Sequence, residues 1–180
     1  RAAVSDVIVT HMHYDHAGND GILPNARFHV QDREMAFATG RCMCHHQMNH
    51  PYELEDVVTM VRRVYAGRVC FHDGDEELFP GITLHRTGGH SRGLQAVRVK
   101  TARGHVVIAS DVAHHYAHLR QRRVFPVVDN VADVLEGYDK VERLATSDDH
   151  VVPGHDPLVA EIYPEHSSAM GGWIVRLDRP

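Results

Sequence analysis

Short apolar segments rich in β-branched residues alternate with polar turns along most of the chain. The first of them, residues 4–10, reads VSDVIVT and predicts a buried strand that ends in the polar stretch HMHYDHAGNDG. Turn signals such as HDGD, TGG and ARG separate the later segments from one another. The pattern predicts further strands at residues 26–30, 68–72, 77–79, 82–86, 94–101, 105–110 and 150–152.

Two longer segments carry apolar residues at helical spacing. Residues 51–66 place Leu54, Val57, Val61 and Val64 on one face, and Gly67 follows as a C-cap. We expect this apolar stripe to pack into the core. A second helix is predicted at residues 130–145 and a helical turn or two at residues 31–38. Strands interspersed with helices, with neither a repeat nor a linker, predict one α/β sandwich domain over residues 1–180.

Composition narrows the function classes. Nineteen basic against 24 acidic side chains make the chain mildly acidic, which argues against a dedicated nucleic-acid-binding protein with a clustered basic face. No apolar run approaches the roughly 20 residues of a membrane helix. Three cysteines are too few for a disulfide framework and favour a reducing, cytoplasmic location, although the sequence leaves open a targeting segment before residue 1. Histidine, at 17 residues, is several times more frequent than usual, so the protein uses imidazole chemically.

The strongest local motif is an H-x-H-x-D-H run directly after the first predicted strand. It comprises His11, His13, Asp15 and His16. Imidazole nitrogen and carboxylate oxygen are ligands that suit zinc and similar divalent ions. In a tight loop at a strand end, His11 and His13 could serve one metal while Asp15 and His16 reach a second.

Three more metal-capable residues follow later predicted strands. His90 sits in the turn TGGHSRG, Asp111 follows the strand at 105–110, and His155 lies in the turn PGHD. Polar residues at strand ends are common, and each of these alone is a weak signal. Together, and in this order, they predict that the carboxyl ends of the strands gather one site.

The order of these motifs resembles the signature of the metallo-β-lactamase superfamily. The stretches HYDHAGN, AFATGRCMCHH, GGHSRGLQAVRV, IASDVAHHYAHL and PGHDPLV followed by YP are similar to the N-acyl-homoserine-lactone lactonase family within it. The resemblance spans about residues 4–155. It implies an αββα sandwich, with the N-terminal part of the first sheet expected to be missing from this chain.

The resemblance also implies a dinuclear metal site. His11, His13 and His90 would hold the first metal, and a second set would hold the other, with Asp111 bridging both. That second set is Asp15, His16 and His155. Zinc is the default ion, and iron, cobalt or manganese would fit the same nitrogen and oxygen ligands.

The implied reaction opens the lactone ring of N-acyl-homoserine lactones by attack of a hydroxide that bridges the two metals. Asp15 is the candidate for carrying a proton from the attacking water to the leaving alkoxide. The family places a Tyr three residues after the bridging Asp, pointed at the substrate, where this chain has His114. Either His114 replaces that donor or Tyr116 supplies it.

Other interpretations remain open at this point. A glyoxalase II-like thioesterase and an aryl-ester, phosphotriester or β-lactam hydrolase would use the same metal ligands. A non-catalytic homologue is disfavoured because all seven ligand positions are filled. The cluster Cys42, Cys44, His45, His46 and His50 lacks the second ligand group of a structural zinc site and is expected to line the acyl pocket. The expected partner is a small acylated lactone, with neither nucleic acid nor membrane; a homodimer is left open.

Overall fold

The computed structural model describes residues 1–179, with Asp20 described by its backbone alone. The chain forms two compact units. The first comprises Arg1–Gly74 together with Ser91–Leu94, and the second comprises Asp75–His90 and the described residues from Gln95 onward. The division leaves the single domain over residues 1–180 a prediction, and Pro180 lies outside the described residues.

The first unit contains a parallel three-stranded sheet in the order β1-β2-β3. Its strands are β1 (Asp6–Ile8), β2 (Arg27–Gln31) and β3 (Val69–His72). Its helices are α1 (Tyr14–Ala17), α2 (Asp32–Ala38), α3 (His46–Asn49) and α4 (Leu54–Tyr65), with 3-10 turns at Asp20–Ile22 and Arg41–Cys44.

Alternation along β2 gives this sheet one apolar and one polar face. Phe28 and Val30 point into the core of the unit, while His29 and Gln31 lie on the opposite face and are also buried. Helix α4 packs Val57 and Met60 into this core, with Val61 and Val64 partly buried against it. The prediction that Leu54 also packs into the core was wrong, because Leu54 is the first residue of the helix and is exposed. The core also contains Val9, Met12, Ala17, Ala26, Met35 and Ala38.

The second unit contains a five-stranded sheet in the order β4-β5-β6-β7-β8. Its strands are β4 (Glu76–Phe79), β5 (Ile82–Arg86), β6 (Gln95–Thr101), β7 (Gly104–Ser110) and β8 (Val151–Pro153). Its helices are α5 (Tyr116–Gln121), α6 (Val131–Leu144) and α7 (Leu158–Ile162), with 3-10 turns at Asp148–His150 and Ser168–Met170.

Strand directions in this sheet bring three strand ends to one edge. Strands β4 to β7 pair antiparallel, and β8 pairs parallel to β7. Two antiparallel steps separate β5 from β7, and therefore β5, β7 and β8 run the same way. Their carboxyl ends, which lead to His90, Asp111 and His155, consequently lie along the same edge of the sheet.

The predicted strands and the two long helices agree with the structure to within a few residues. Strand β1 is shorter than the predicted 4–10, because only residues 6–8 pair along the edge of β2 in a regular register. Four short helices, α1, α3, α5 and α7, were not predicted, since each of them is too short to show helical periodicity. Among the described residues, no helix is both long enough and apolar enough to cross a membrane.

Candidate metal centre

The H-x-H-x-D-H motif forms a loop that leaves β1 and enters α1. The Val9 amide donates to the carbonyl of His29 at 3.0 Å, and His13 then accepts from the amides of His16 and Ala17 at the start of α1. The loop turns inward, because His11 is fully buried. Asp15 remains accessible, with 40% of its side chain exposed.

The four side chains of this motif lie close together within the first unit. The ring centroid of His11 is 4.5 Å from that of His13 and 4.2 Å from that of His16. Asp15 Oδ2 lies 3.4 Å from His16 Nε2. The loop therefore concentrates three imidazoles and one carboxylate within the first unit.

In the second unit, a double-glycine turn positions His90 after β5. Gly88 and Gly89 have φ values of 71° and 89°, in the left-handed region that suits glycine. The Gly89 carbonyl accepts from the amides of Asp129 and Asn130 at 2.8 and 2.9 Å, and these bonds hold the turn against the start of α6. Two glycines therefore determine the conformation of the turn, and its hydrogen bonds to the start of α6 determine its position.

A backbone carbonyl decides which nitrogen of His90 is available. His90 Nδ1 donates to the carbonyl of Val127 at 2.6 Å. In a neutral ring the proton is then on Nδ1, which leaves the lone pair on Nε2. Orientation of this kind, through the second ring nitrogen, is typical of metal-binding histidines.

Asp111 is the centre of the polar cluster in the second unit. The preceding residue, Ser110, has a φ of 50°, an uncommon value for a residue with a side chain, and the chain turns sharply there out of β7. Asp111 is only 3% exposed. Its Oδ2 lies 3.3 Å from His90 Nε2 and 2.9 Å from His114 Nε2, and its Oδ1 lies 3.2 Å from His155 Nε2. Three imidazole nitrogens therefore surround one buried carboxylate.

Strand pairing brings His155 to this carboxylate. Ser110 and Pro153 are register partners in β7 and β8, and the His155 amide donates to the carbonyl of His114 at 3.0 Å. A Cβ at Gly154 would lie 2.8 Å from Asp111 Oδ1, so only glycine allows this approach.

The donor set fits a divalent metal ion. One ligand atom each from His90, Asp111 and His114 lie within 4.8 Å of one another. Because the Nδ1 proton of His90 is committed to a carbonyl, its Nε2 lone pair faces a carboxylate oxygen, and both atoms are electron-pair donors. A cation or an additional proton between them relieves that repulsion, and nitrogen with oxygen is a ligand combination of zinc and related ions.

The two candidates for the substrate-oxygen donor lie in different surroundings. The ring of His114 stacks on Phe125, with centroids 3.7 Å apart and planes at 20°, beside Asp111. Tyr116 is 6% exposed and lines a cavity of about 900 Å³ that also includes Arg103 and Tyr163. Burial, followed by its proximity to Tyr163, raises the pKa of the Tyr116 hydroxyl above its usual range. The structure thus associates His114, and not Tyr116, with the Asp111 cluster.

The cysteine-histidine segment does not assemble into a ligand cluster. Cys44, His45 and His46 are exposed, and the described residues contain no group of three metal-capable side chains that includes Cys42 or Cys44. The rings of His46 and His50 are 6.0 Å apart at the surface. That the segment forms no separate zinc site and that it lines an acyl pocket both stay predictions.

Three groups around these clusters were not predicted. Phe125 supports His114, the Val127 carbonyl orients His90, and Glu34 lies fully buried in α2. A charged residue on the inward face of an otherwise apolar helical turn was the available signal for Glu34. No sequence signal existed for Phe125 or Val127, because both lie in the irregular segment between α5 and α6.

Comparison with known proteins identifies a family and several relatives. The family model of the metallo-beta-lactamase superfamily matches residues 1–155. An N-acyl homoserine lactonase from Bacillus cereus is 24% identical over 165 residues, which cover 89% of this chain and 60% of that protein. An N-acyl homoserine lactonase from Bacillus thuringiensis is 29% identical over 109 residues, or 60% of this chain and 38% of that protein.

A solved structure extends the likeness to the fold. It is an N-acyl homoserine lactone hydrolase with the product N-hexanoyl-L-homoserine at its catalytic metal centre, with a TM-score of 0.70 and 24% identity. The match covers 87% of this chain and 58% of that one, so this chain spans well under two thirds of its relative. The family match over residues 1–155, the strand-end histidines and the fold lead to one conclusion: this chain belongs to the metallo-beta-lactamase superfamily.

Proposed function

We propose that this protein is a metal-dependent hydrolase that opens the lactone ring of N-acyl-homoserine lactones. The observation that carries the proposal is the buried Asp111 carboxylate with three imidazole nitrogens within 3.3 Å, beside which a hydrolytic metal would bind. The lactone substrate is proposed because the relatives named above are N-acyl homoserine lactonases.

We propose two divalent ions, with zinc as the first choice and iron, cobalt or manganese as alternatives. On the family pattern, His11, His13 and His90 would hold one ion, and Asp111 would be a ligand shared with the other. The ligands of that second ion are Asp15, His16 and His155. When bound, ions of this kind lower the pKa of a coordinated water and polarise a carbonyl oxygen.

We propose that side chains of this protein carry out the proton transfer and orient the ligands. Asp15 stands in the first turn of α1 and is accessible, and we propose it as the group that takes a proton from the attacking water and returns it to the departing alkoxide. The Val127 carbonyl fixes the orientation of the His90 ring, which would direct its Nε2 atom to the metal.

We propose His114 as the donor that faces the substrate oxygen, with Tyr116 as the alternative. His114 has about a quarter of its side chain exposed, at 24%, while its ring is held by Phe125. Tyr116 would need to leave the cavity that it lines with Tyr163. The donor distinguishes this chain from family members with a Tyr at the position of His114.

The proposed substrate is a small acylated lactone, with neither nucleic acid nor membrane as a partner. The location we propose is the cytoplasm, because Cys42, Cys44 and Cys70 form no disulfide and suit a reducing compartment. Whether the protein acts as a monomer or a homodimer stays open in this proposal.

The test is hydrolysis of a short-chain and a long-chain acyl-homoserine lactone by the protein, metal-loaded and after chelation. Asp111→Asn should lower kcat/KM by more than the roughly 10–100-fold that the loss of an outer-shell partner costs, since it removes the proposed bridging ligand. Asp139→Asn, an exposed acid of α6, makes the same substitution away from the cluster and should leave activity within about twofold of wild type.

Each outcome has a separate meaning. Turnover that requires metal and collapses only in Asp111→Asn supports the lactonase. Absence of lactone turnover in protein with about two metals per chain would exclude the lactonase and favour a thioesterase or phosphotriesterase of the same superfamily, which S-lactoylglutathione and an aryl phosphotriester would identify.

A further inference from the structure

A fully buried glutamate lies beneath the metal-binding loop in the first unit. Glu34 is the third residue of α2, and its side chain has no exposed surface. Burying an ionised carboxylate is costly unless hydrogen bonds compensate for the lost hydration. Such a residue therefore requires a structural or functional reason.

Four donors converge on the two oxygens of Glu34. Oε1 accepts from the Met12 amide at 2.9 Å and from the Tyr52 hydroxyl at 3.0 Å. Oε2 accepts from the Ser91 hydroxyl at 2.6 Å and from the Gly93 amide at 3.0 Å. All four donors and Glu34 belong to the first unit, within which the carboxylate is fully hydrogen-bonded.

The donors belong to the two segments that carry the proposed ligands of the first metal. Met12 lies between His11 and His13, and Ser91 directly follows His90 along the chain. Tyr52 adds a third connection, because its ring contacts that of His13 edge-to-face with centroids 4.6 Å apart. One carboxylate is thus hydrogen-bonded to the backbone between two ligands and to the residue after a third.

Two backbone amides favour a carboxylate at this position over the isosteric amide of glutamine. The Met12 and Gly93 amides can only donate, and they approach different oxygens of Glu34. A glutamine would present an NH₂ group to one of them and lose that bond. The approach is also close, since a Cβ at Gly93 would collide with the backbone of Glu34.

We infer that Glu34 is a positioning residue that ties the loop of His11 and His13 to the turn after His90 and thereby sets metal affinity. The inference rests on the ligand set proposed above. Glu34 touches neither substrate nor metal in this role. It acts through Met12, Tyr52 and Ser91, in the manner of the outer-shell partners that orient metal ligands.

The test is metal binding by Glu34→Gln, measured by competition with a chromophoric chelator, together with the visible absorption spectrum of the cobalt(II) form. We expect zinc affinity at the tighter site to fall by about 10–100-fold and the cobalt bands to change in position or intensity. Asp32→Asn, an exposed acid in the first turn of the same helix, should change neither.

Two milder variants keep the inference testable if Glu34→Gln does not fold. Tyr52→Phe and Ser91→Ala each remove one hydroxyl donor, one on each carboxylate oxygen, and each should weaken zinc binding several-fold. A Glu34→Gln protein that is folded and binds zinc with wild-type affinity and an unchanged cobalt spectrum would overturn the inference, as would wild-type affinity in both milder variants. Wild-type protein that binds no metal would instead defeat the proposed function.

Discussion

At the scale of single residues, hydrogen-bond partners assign the protons of several histidines outside the proposed ligand set. Asp6 can only accept when ionised, and His29 Nε2 therefore donates to it at 3.0 Å. The Nδ1 atom of a neutral His29 then accepts from His72 Nε2 at 3.0 Å. The same argument applies to His85. Its Nδ1 donates to the Asp75 carboxylate, and its Nε2, in the neutral ring, accepts from the Thr83 hydroxyl, each at 2.8 Å. These contacts give structural roles to His29, His72 and His85.

The Asp6–His29 contact predicts a dependence of stability on pH. The hydrogen bond from His29, followed by that from Ser5, lowers the pKa of Asp6 from 3.8 to about 2. A pKa that is lower in the folded state stabilises the fold above pH 3.8, and this contribution is lost as pH falls from 3.8 towards 2. Asp6→Asn should therefore lower the urea midpoint of the chelated protein at pH 7, and the difference from wild type should shrink as the pH approaches 2.

An exposed acid of the same unit provides the control for this experiment. Asp73→Asn makes the same substitution at a residue whose side chain faces solvent, and it should change the urea midpoint little at any pH in the series. A difference between Asp6→Asn and wild type that stays constant from pH 7 to pH 3 would contradict the assigned role of Asp6.

At the scale of elements, each proposed ligand of the second unit follows a strand end, and two of them, His90 and His155, directly follow a glycine. Gly89 has a φ of 89°, and a Cβ there would lie 2.6 Å from the Val134 amide nitrogen at the start of α6. Gly89→Ala should cost about 2–4 kcal/mol of unfolding free energy, from backbone strain and collision together, and should weaken metal binding by moving His90. Urea unfolding and chelator competition measure the two effects.

Gly67→Ala separates strain from collision. Gly67 has a φ of 69° at the end of α4, and a Cβ there would meet nothing within 4 Å. Only the left-handed backbone is penalised, so this variant should cost about 1–2 kcal/mol and leave metal binding unchanged. Equal losses of stability in the two variants would contradict the role assigned to the contact between Gly89 and Val134.

Element lengths explain which parts of the secondary structure could be predicted. Helix α4 has 12 residues and α6 has 14, enough for the apolar period to repeat, and Asn130 caps α6 through its side chain as its residue type favours. Helices α1 and α3 have 4 residues each, which is too short for an apolar period to repeat. Their formation depends on contacts such as the bond from the Tyr14 amide to the Pro51 carbonyl at 2.9 Å.

At the scale of the whole molecule, metal removal should lower thermal stability. A ligand that binds only the folded state adds about 2.7 kcal/mol when its concentration is 100 times its Kd, which corresponds to roughly 5–10 °C for a chain of this size. Chelation of wild-type protein should lower Tm by that amount, and chelation of Asp111→Asn by much less. The same Tm before and after chelation of wild type would contradict the proposed site; calorimetry with matched buffers measures both.

The sequence was sufficient for the family, the mixed α/β class and the residues after each strand end. The metallo-beta-lactamase assignment is confirmed over residues 1–155. In the second unit His90 and His155 lie within 3.3 Å of Asp111, while their role as metal ligands stays a prediction. These features can be predicted from the sequence because they are local. A strand, its end and the next polar residue are neighbours in the chain, and the family motif is defined by their order.

Only the tertiary structure decided which groups support those residues. Glu34 reaches a backbone amide 22 residues before it and a serine 57 residues after it, and His90 depends on a carbonyl 37 residues away. Partners at such separations decide whether a buried acid is stabilised by hydrogen bonds and which nitrogen of a histidine carries the proton. The linear pattern records which residues can form these bonds, but the fold selects the partners, because hydrogen bonding depends on distances that only packing sets.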